Sequence, residues 1–353
     1  MTDQKSSMLR ATLLVAVMSM ALTGCGVGEQ AAAEGASGNG IVARVDAPLR
    51  APAWVEDEGV LIALQEDGRR LVRLDPGESF DGTRDFPVTT SQELDGSAGE
   101  NLRLESGSMP DEIYLPKPER DQVTVVENDD LLEVRNLVAG ESPARIALGG
   151  SSTGYGVQTL FALSEDGETV TVVELENPGT ADAEAEVGAS EDSLLEASGE
   201  DGFWLAGPEG VALYGGPPPE RLGNLPLEAG SLATDADDPQ RAYAGETSSG
   251  RVVAVEPDEA GELRAVAEAD LNAPAEYLYA EEGRLYAISR DELVVLDSES
   301  LETVETVEIG PLVAQEGLEQ AEPSGLTVGE ENVYVTLKGE PYVLFIEKPK
   351  ESK

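Results

Sequence analysis

The chain of 353 residues contains no histidine at all. That absence removes Ser-His-Asp and Cys-His nucleophile systems, imidazole acid/base work and nearly all zinc, copper or haem sites. Its one cysteine, Cys25, rules out an intrachain disulfide, so the fold rests on burial alone. Cations are scarce: 23 Lys and Arg stand against 70 Asp and Glu, for a formal net charge of −47. A surface of that sign repels phosphates and lacks the clustered cations that nucleic-acid binders need, so nucleic acid is excluded as a partner. Aromatics are few, with five Phe, two Trp and nine Tyr. No apolar run is long enough to span a bilayer; the longest, Ala11 to Leu22, has twelve residues.

That run has a purpose of a different kind. It follows a short polar stretch with Lys5 and Arg10, and it leads into Leu22-Thr23-Gly24-Cys25, the layout of a secretory leader. The last four residues resemble the lipobox of bacterial lipoproteins. The resemblance implies a diacylglycerol on the sulfur of Cys25, cleavage after Gly24 and a chain held at the outer, extracytoplasmic face of a bacterial cell membrane. Residues 1–24 then form the signal peptide. Residues 25–40, rich in Gly, Ala and Ser, form a flexible tether of about 20 Å root-mean-square span.

From Ile41 the chain repeats itself. Seven segments share an aromatic-centred strand, a polar turn and a Val/Leu strand, and their alignment puts Ile62, Tyr114, Phe161, Trp204, Tyr243, Tyr286 and Tyr334 in one column. The column positions lie 39 to 52 residues apart. A repeat of about 40 to 50 residues with several short strands per unit is the mark of a β-propeller. In the unit 251–290, RVVAV, ELRAVAEA, AEYLYA and RLYAIS give four strands joined by turn residues. The expected fold is therefore all-β: a seven-bladed propeller of four-stranded blades over 41–347, followed by a basic tail, 348–353. The seventh unit lacks an outer strand, whereas IVARVDA at 41–47 is a strand without a blade. Pairing the two closes the ring and removes an exposed sheet edge. The aromatic column then fills the seams between blades.

Three longer stretches carry more of the repeat grammar: VYVTLKGEPYVLFIE from Val333, DQVTVVENDDLLEVRNLVAGESPARIAL from Asp121 and LVVLDSESLETVETVEIG from Leu293. They resemble the repeats of bacterial YVTN, or YncE-like, seven-bladed propellers over roughly 41–347. Only Tyr334-Val335-Thr336 comes close to the signature itself, and the unit at 201–240 departs furthest from the pattern. The resemblance implies a binding or scaffold protein and carries over no catalytic residue.

If strands are lettered A to D from the axis outward, the D–A and B–C connections of every blade fall at one end. Those connections hold Arg50, Arg69, Lys117, Arg120, Arg145, Arg251, Arg290 and Lys338, a large share of a small stock of cations. They define a candidate face for an anionic ligand on an otherwise repelling body. For a metal, Asp235, Asp237 and Asp238 in TDADDPQ offer hard oxygens for calcium, but without the glycine and distal glutamate of an EF-hand loop. A hydrated turn, the usual fate of an acidic loop, accounts for them more simply, and no cofactor is expected. The sequence thus predicts a lipid-anchored, non-enzymatic binding or scaffold module, with the membrane as one partner and an unnamed protein or small molecule at the propeller face as the other. Two competing readings are a propeller hydrolase or lyase working through carboxylates and calcium, and a transporter's solute-binding lipoprotein built on parallel strands and long helices.

Overall fold

The computed structural model describes residues 40–77, 86–105, 111–150, 157–175, 183–235 and 238–349. The leader, Cys25 and its lipobox, Asp237 and the tail beyond Pro349 lie outside the described residues. Among the described residues twenty-eight strands form seven sheets of four, and every pairing between neighbouring strands is antiparallel. Six sheets follow chain order; the seventh does not. There, strand Gly40–Arg44 lies against Tyr342–Glu347, which is followed inward by Asn332–Leu337 and Pro323–Val328. The register runs from Gly40 opposite Ile346 to Arg44 opposite Tyr342. The N-terminal strand is therefore the outer strand of the last blade, and the ring closes as a seven-bladed β-propeller. The long helices of the solute-binding reading are not found: among the described residues the one α-helix is Gly310–Ala314, in the connection entering blade 7.

Each seam between adjacent blades holds its own apolar cluster. The physical cause is visible in the second strand of each blade, which is enclosed on both faces and so is apolar almost throughout, as in Val60–Gln65 and Gly202–Gly207. The aromatic column supplies one residue to each seam: Ile62, Tyr114, Phe161, Trp204, Tyr243, Tyr286 and Tyr334 are all between 0% and 3% exposed. They occupy one register. Each stands opposite the equivalent third-strand position, as in Tyr114 with Val125, Trp204 with Leu213 and Tyr334 with Phe345. The buried polar ends of the column are satisfied, since Trp204 Nε1 donates to the Pro239 carbonyl at 3.1 Å and the Tyr243 hydroxyl to that of Ser298 at 3.2 Å. Outer strands alternate instead, as in Leu263–Asp270, because one of their faces meets water.

Candidate binding site at the axial mouth

The first strand of each blade borders the axis and has a free edge, so its backbone groups need partners that no fifth strand supplies. Side chains from neighbouring blades provide some of them. Asn101 Nδ2 donates to the Ile146 carbonyl at 2.8 Å while its Oδ1 accepts from the Ile146 N–H at 3.0 Å, and the Ser324 hydroxyl donates to the Leu49 carbonyl at 2.7 Å.

Halfway down the axis the same inner strands carry a ring of residues in register with the aromatic column. Ala53, Arg103, Ala147, Glu196, Ala233, Tyr279 and Thr327 stand directly opposite Ile62, Tyr114, Phe161, Trp204, Tyr243, Tyr286 and Tyr334. Small residues from three blades leave room that large ones from the others fill. Arg103, from blade 2, donates to the Ile146 carbonyl of blade 3 at 3.2 Å and forms an ion pair with Glu196 of blade 4. Tyr279 of blade 6 comes close to Thr327 of blade 7 and feels the charges of both Arg103 and Glu196. Five blades thus meet at a waist. Burial there pushes the Glu196 carboxyl up, against the pull of Arg103, and drives the Tyr279 phenol up to about 12.

Above the waist lies the end where D–A and B–C connections gather. Arg50 of blade 1, Glu100 at the entry to blade 2, Arg145 of blade 3 and Tyr277 of blade 6 act electrostatically on one another, and Asp192 at the entry to blade 4 acts on Arg145. Only over the axis can groups from blades so far apart around the ring approach. Burial lowers the pKa of both arginines and raises that of Tyr277. The two arginines differ in one respect. Arg50 is committed, with Nε, Nη1 and Nη2 donating to the carbonyls of Glu66, Glu100 and Ala98 at 3.2, 2.9 and 3.1 Å. Arg145 makes no hydrogen bond or ion pair among the described residues. Tyr277, which acts on it from across the axis, is 37% exposed.

The remaining cations named from sequence lie at the same end but farther from the axis. Arg69 pairs with Glu93 at 3.0 Å, Arg120 with Asp95, and Arg251 with Glu268 at 2.9 Å. Arg290 donates to the backbone and side-chain oxygens of Gln320, both at 3.1 Å. Lys338 is exposed, and together with Arg290 it offsets Glu322 and Asp291 around Glu276, whose carboxyl is raised chiefly by burial. Lys117 departs from the expectation of a surface cation. It is 0% exposed, with Nζ donating to the Gly96 carbonyl at 2.8 Å, because the connection over residues 91–99 folds across the end of its strand. Burial lowers its pKa to about 8.

At the opposite end, Asp235 and Asp238 face each other across the A–B turn of blade 5; Asp235 is buried and Asp238 exposed. Among the described residues no three His, Cys, Asp or Glu side chains are grouped to hold a metal ion. Arg103, Glu196, Tyr277 and Tyr279 were not singled out by sequence. The available signal was the inner-strand column itself, in which an arginine, a glutamate and a tyrosine replace alanine at positions fixed by the repeat.

No protein-family model matches the chain, and none of the curated proteins does. Solved structures do. A virginiamycin B lyase from Staphylococcus aureus superposes with a TM-score of 0.63 at 12% identity, over 87% of this chain and 98% of that one. U3-55K gives 0.64 at 8% identity over 87% and 98%, and the WD40 β-propeller domain of Doa1 gives 0.60 at 11% over 87% and 94%. The class these define is the seven-bladed β-propeller. At such identities the likeness is one of fold.

Proposed function

We propose that the chain is an extracytoplasmic, lipid-anchored propeller of the YncE-like kind, acting as a non-enzymatic binding or scaffold module that takes its partner at the axial mouth. The observation that carries this reading is Arg145, a guanidinium without a partner among the described residues, set across the axis from an exposed tyrosine over a filled waist. Arginine and tyrosine are the side chains that dominate recognition energy at interfaces. The propeller neighbours support a protein-binding role in a general way, since the WD40 domain is among them. The lipobox resemblance at Leu22 to Cys25 supports anchorage, because two or more acyl chains hold a protein stably at a bilayer. Anchorage is tested separately, by mass spectrometry of the N-terminal peptide: a diacylglyceryl-modified Cys25 supports it, and an unmodified leader overturns it.

The binding role is tested by purifying the tagged, lipidated protein from its native membrane beside an Arg50→Glu, Arg145→Glu variant of equal thermal stability. Loss of the co-purifying species with the variant supports the reading. Equal recovery would place binding elsewhere.

The enzymatic alternative, a lyase or hydrolase using carboxylates and calcium, draws on one neighbour being a lyase. A calcium-dependent rise in melting temperature that is lost in Asp235→Asn, Asp238→Asn protein would favour it.

A further inference from the structure

We propose that the axial mouth is a site for a single carboxylate carried beside an aromatic ring, with Arg145 as its anion fork and Tyr277 as its stacking platform. The inference rests on the mouth being the binding site and adds the chemistry of what binds there.

Three observations lead to it. The first is the number of uncommitted donors. Arg50 has spent all three of its nitrogens on backbone carbonyls, whereas Arg145 has spent none within the described residues. One free guanidinium presents two parallel N–H groups, which match the two oxygens of a carboxylate. A phosphate dianion asks for a second free cation close by; Arg50, which shares Glu100 and Tyr277 with Arg145, has its three nitrogens on backbone carbonyls, and Arg120 at the rim holds Asp95.

The second is the sign of the surroundings. Glu100 and Asp192 stand near Arg145, and the chain as a whole carries −47. A multiply charged anion meets repulsion from both, while a monoanion loses least. The same carboxylates do not fill the fork: neither comes within ion-pair distance of Arg145 among the described contacts.

The third is position. Arg145 and Tyr277 are equivalent residues in the repeat, each two places before its waist residue, Ala147 and Tyr279. They come from blades 3 and 6, on opposite sides of the axis, so a ligand between them is gripped from both sides. The waist below, where Arg103 and Glu196 pair and Tyr279 meets Thr327, forms a polar floor that stops deeper entry. A planar body lying on the Tyr277 ring with its carboxylate toward Arg145 fits this arrangement. Aromatic stacking adds to its affinity beyond simple area burial.

The experiment is a titration of the folded protein, followed by NMR of the Tyr277 ring and the Arg145 side chain, with three probes. These are 3-phenylpropionate, the uncharged 3-phenylpropanol, and inorganic phosphate. The expected result is saturable shifts at both residues with 3-phenylpropionate, at least ten times weaker response to 3-phenylpropanol, and none to phosphate. Arg145→Gln abolishes the response; Arg145→Lys restores it only in part, because an ammonium lacks the fork. Tyr277→Leu weakens it several-fold. Lys348→Gln, at the opposite end, leaves it unchanged. Equal binding of the acid and the alcohol, tighter binding of phosphate, no saturable response to 3-phenylpropionate, or a response indifferent to Arg145→Gln overturns the proposal. If the proposal fails while the partner recovered from membranes is still lost in the mouth variant, the mouth remains the binding site and only its ligand chemistry is wrong.

Discussion

A lysine buried to 0% exposure is the sharpest conflict in the molecule between a side chain and its place. Lys117 has one acceptor, the Gly96 carbonyl, with Glu133 and Asp95 pulling its pKa up and burial, the larger effect, pulling it down to about 8 from 10.5. The sign follows from proton counting. Between pH 8 and 10.5 the unfolded chain holds a proton at this residue that the folded chain has released, so stability rises with pH across that window. Below pH 8 the folded state carries the buried charge and the contribution is gone. Tyr279 and Tyr286 act oppositely at higher pH, since their folded values of about 12 mean the unfolded phenols ionise first and stability falls above pH 10. Lys117→Met is expected to raise stability at pH 7 by about 1–2 kcal/mol, the relief of burial less the lost hydrogen bond. It should also flatten the rise between pH 8 and 10. Urea unfolding of both proteins at several pH values checks this, and parallel profiles would show that Lys117 is not the group responsible. The sequence identified Lys117 as a turn cation but not as a buried one. Its burial depends on a connection in neither strand nor helix, whose acceptor Gly96 is 21 residues away, which no local pattern reports.

At the scale of strands, the second strand of each blade is the organising element, and its aromatic position was legible from sequence. The reason is geometric: a seam between twisted sheets needs one large residue at a fixed height, so the demand recurs once per repeat and leaves a column. Trp204, enclosed on both faces and anchored through Nε1 to Pro239, is expected to cost about 3–5 kcal/mol when replaced by Ala. Thermal or chemical unfolding of Trp204→Ala measures it; a change under 1 kcal/mol would mean that the seam collapses around the gap. Ring closure was legible for a related reason, because a last blade missing an outer strand and a first strand lacking a blade are complementary. The inner-strand column was harder to see. It mixes Ala, Arg, Glu, Tyr and Thr, so it has no shared chemistry to align on, and only the register against the aromatic column reveals that Arg103, Glu196, Tyr279 and Thr327 stand at one level. The cationic face was legible only as an end of the barrel. Sequence gives the end at which a turn falls but not its distance from the axis, and that distance separates Arg145, on an inner strand, from Arg120 and Arg290 on the rim.

The whole molecule is polar end to end. None of the seven A–B connections, which lie opposite the mouth, contains a lysine or arginine, whereas Arg69, Arg120, Arg290 and Lys338 lie in B–C connections. Gly40 begins the closing strand at the acidic end, and the last strand finishes there too, with Lys348 docked on Glu281 at 3.3 Å and Glu282 at 3.7 Å rather than extended from the body. So uneven a charge of −47 repels itself. Added salt relieves that repulsion, with a screening length of about 10 Å at 0.1 M and 3 Å at 1 M. The melting temperature is therefore expected to rise steadily between 0.05 and 2 M NaCl; a flat response would show that the carboxylates are spaced widely enough to be solvated independently.

Binding through the axial mouth is tested most directly by site-specific photocrosslinking. A photoreactive phenylalanine is placed at Tyr277, at the mouth, or at Glu200, in an A–B turn at the opposite end, in lipidated protein on its native membrane. Irradiation is expected to join a discrete partner at position 277, with 3-phenylpropionate reducing the yield, and none at 200. The same partner captured at 200 and absent at 277 would contradict the claim that this propeller binds through its axial mouth.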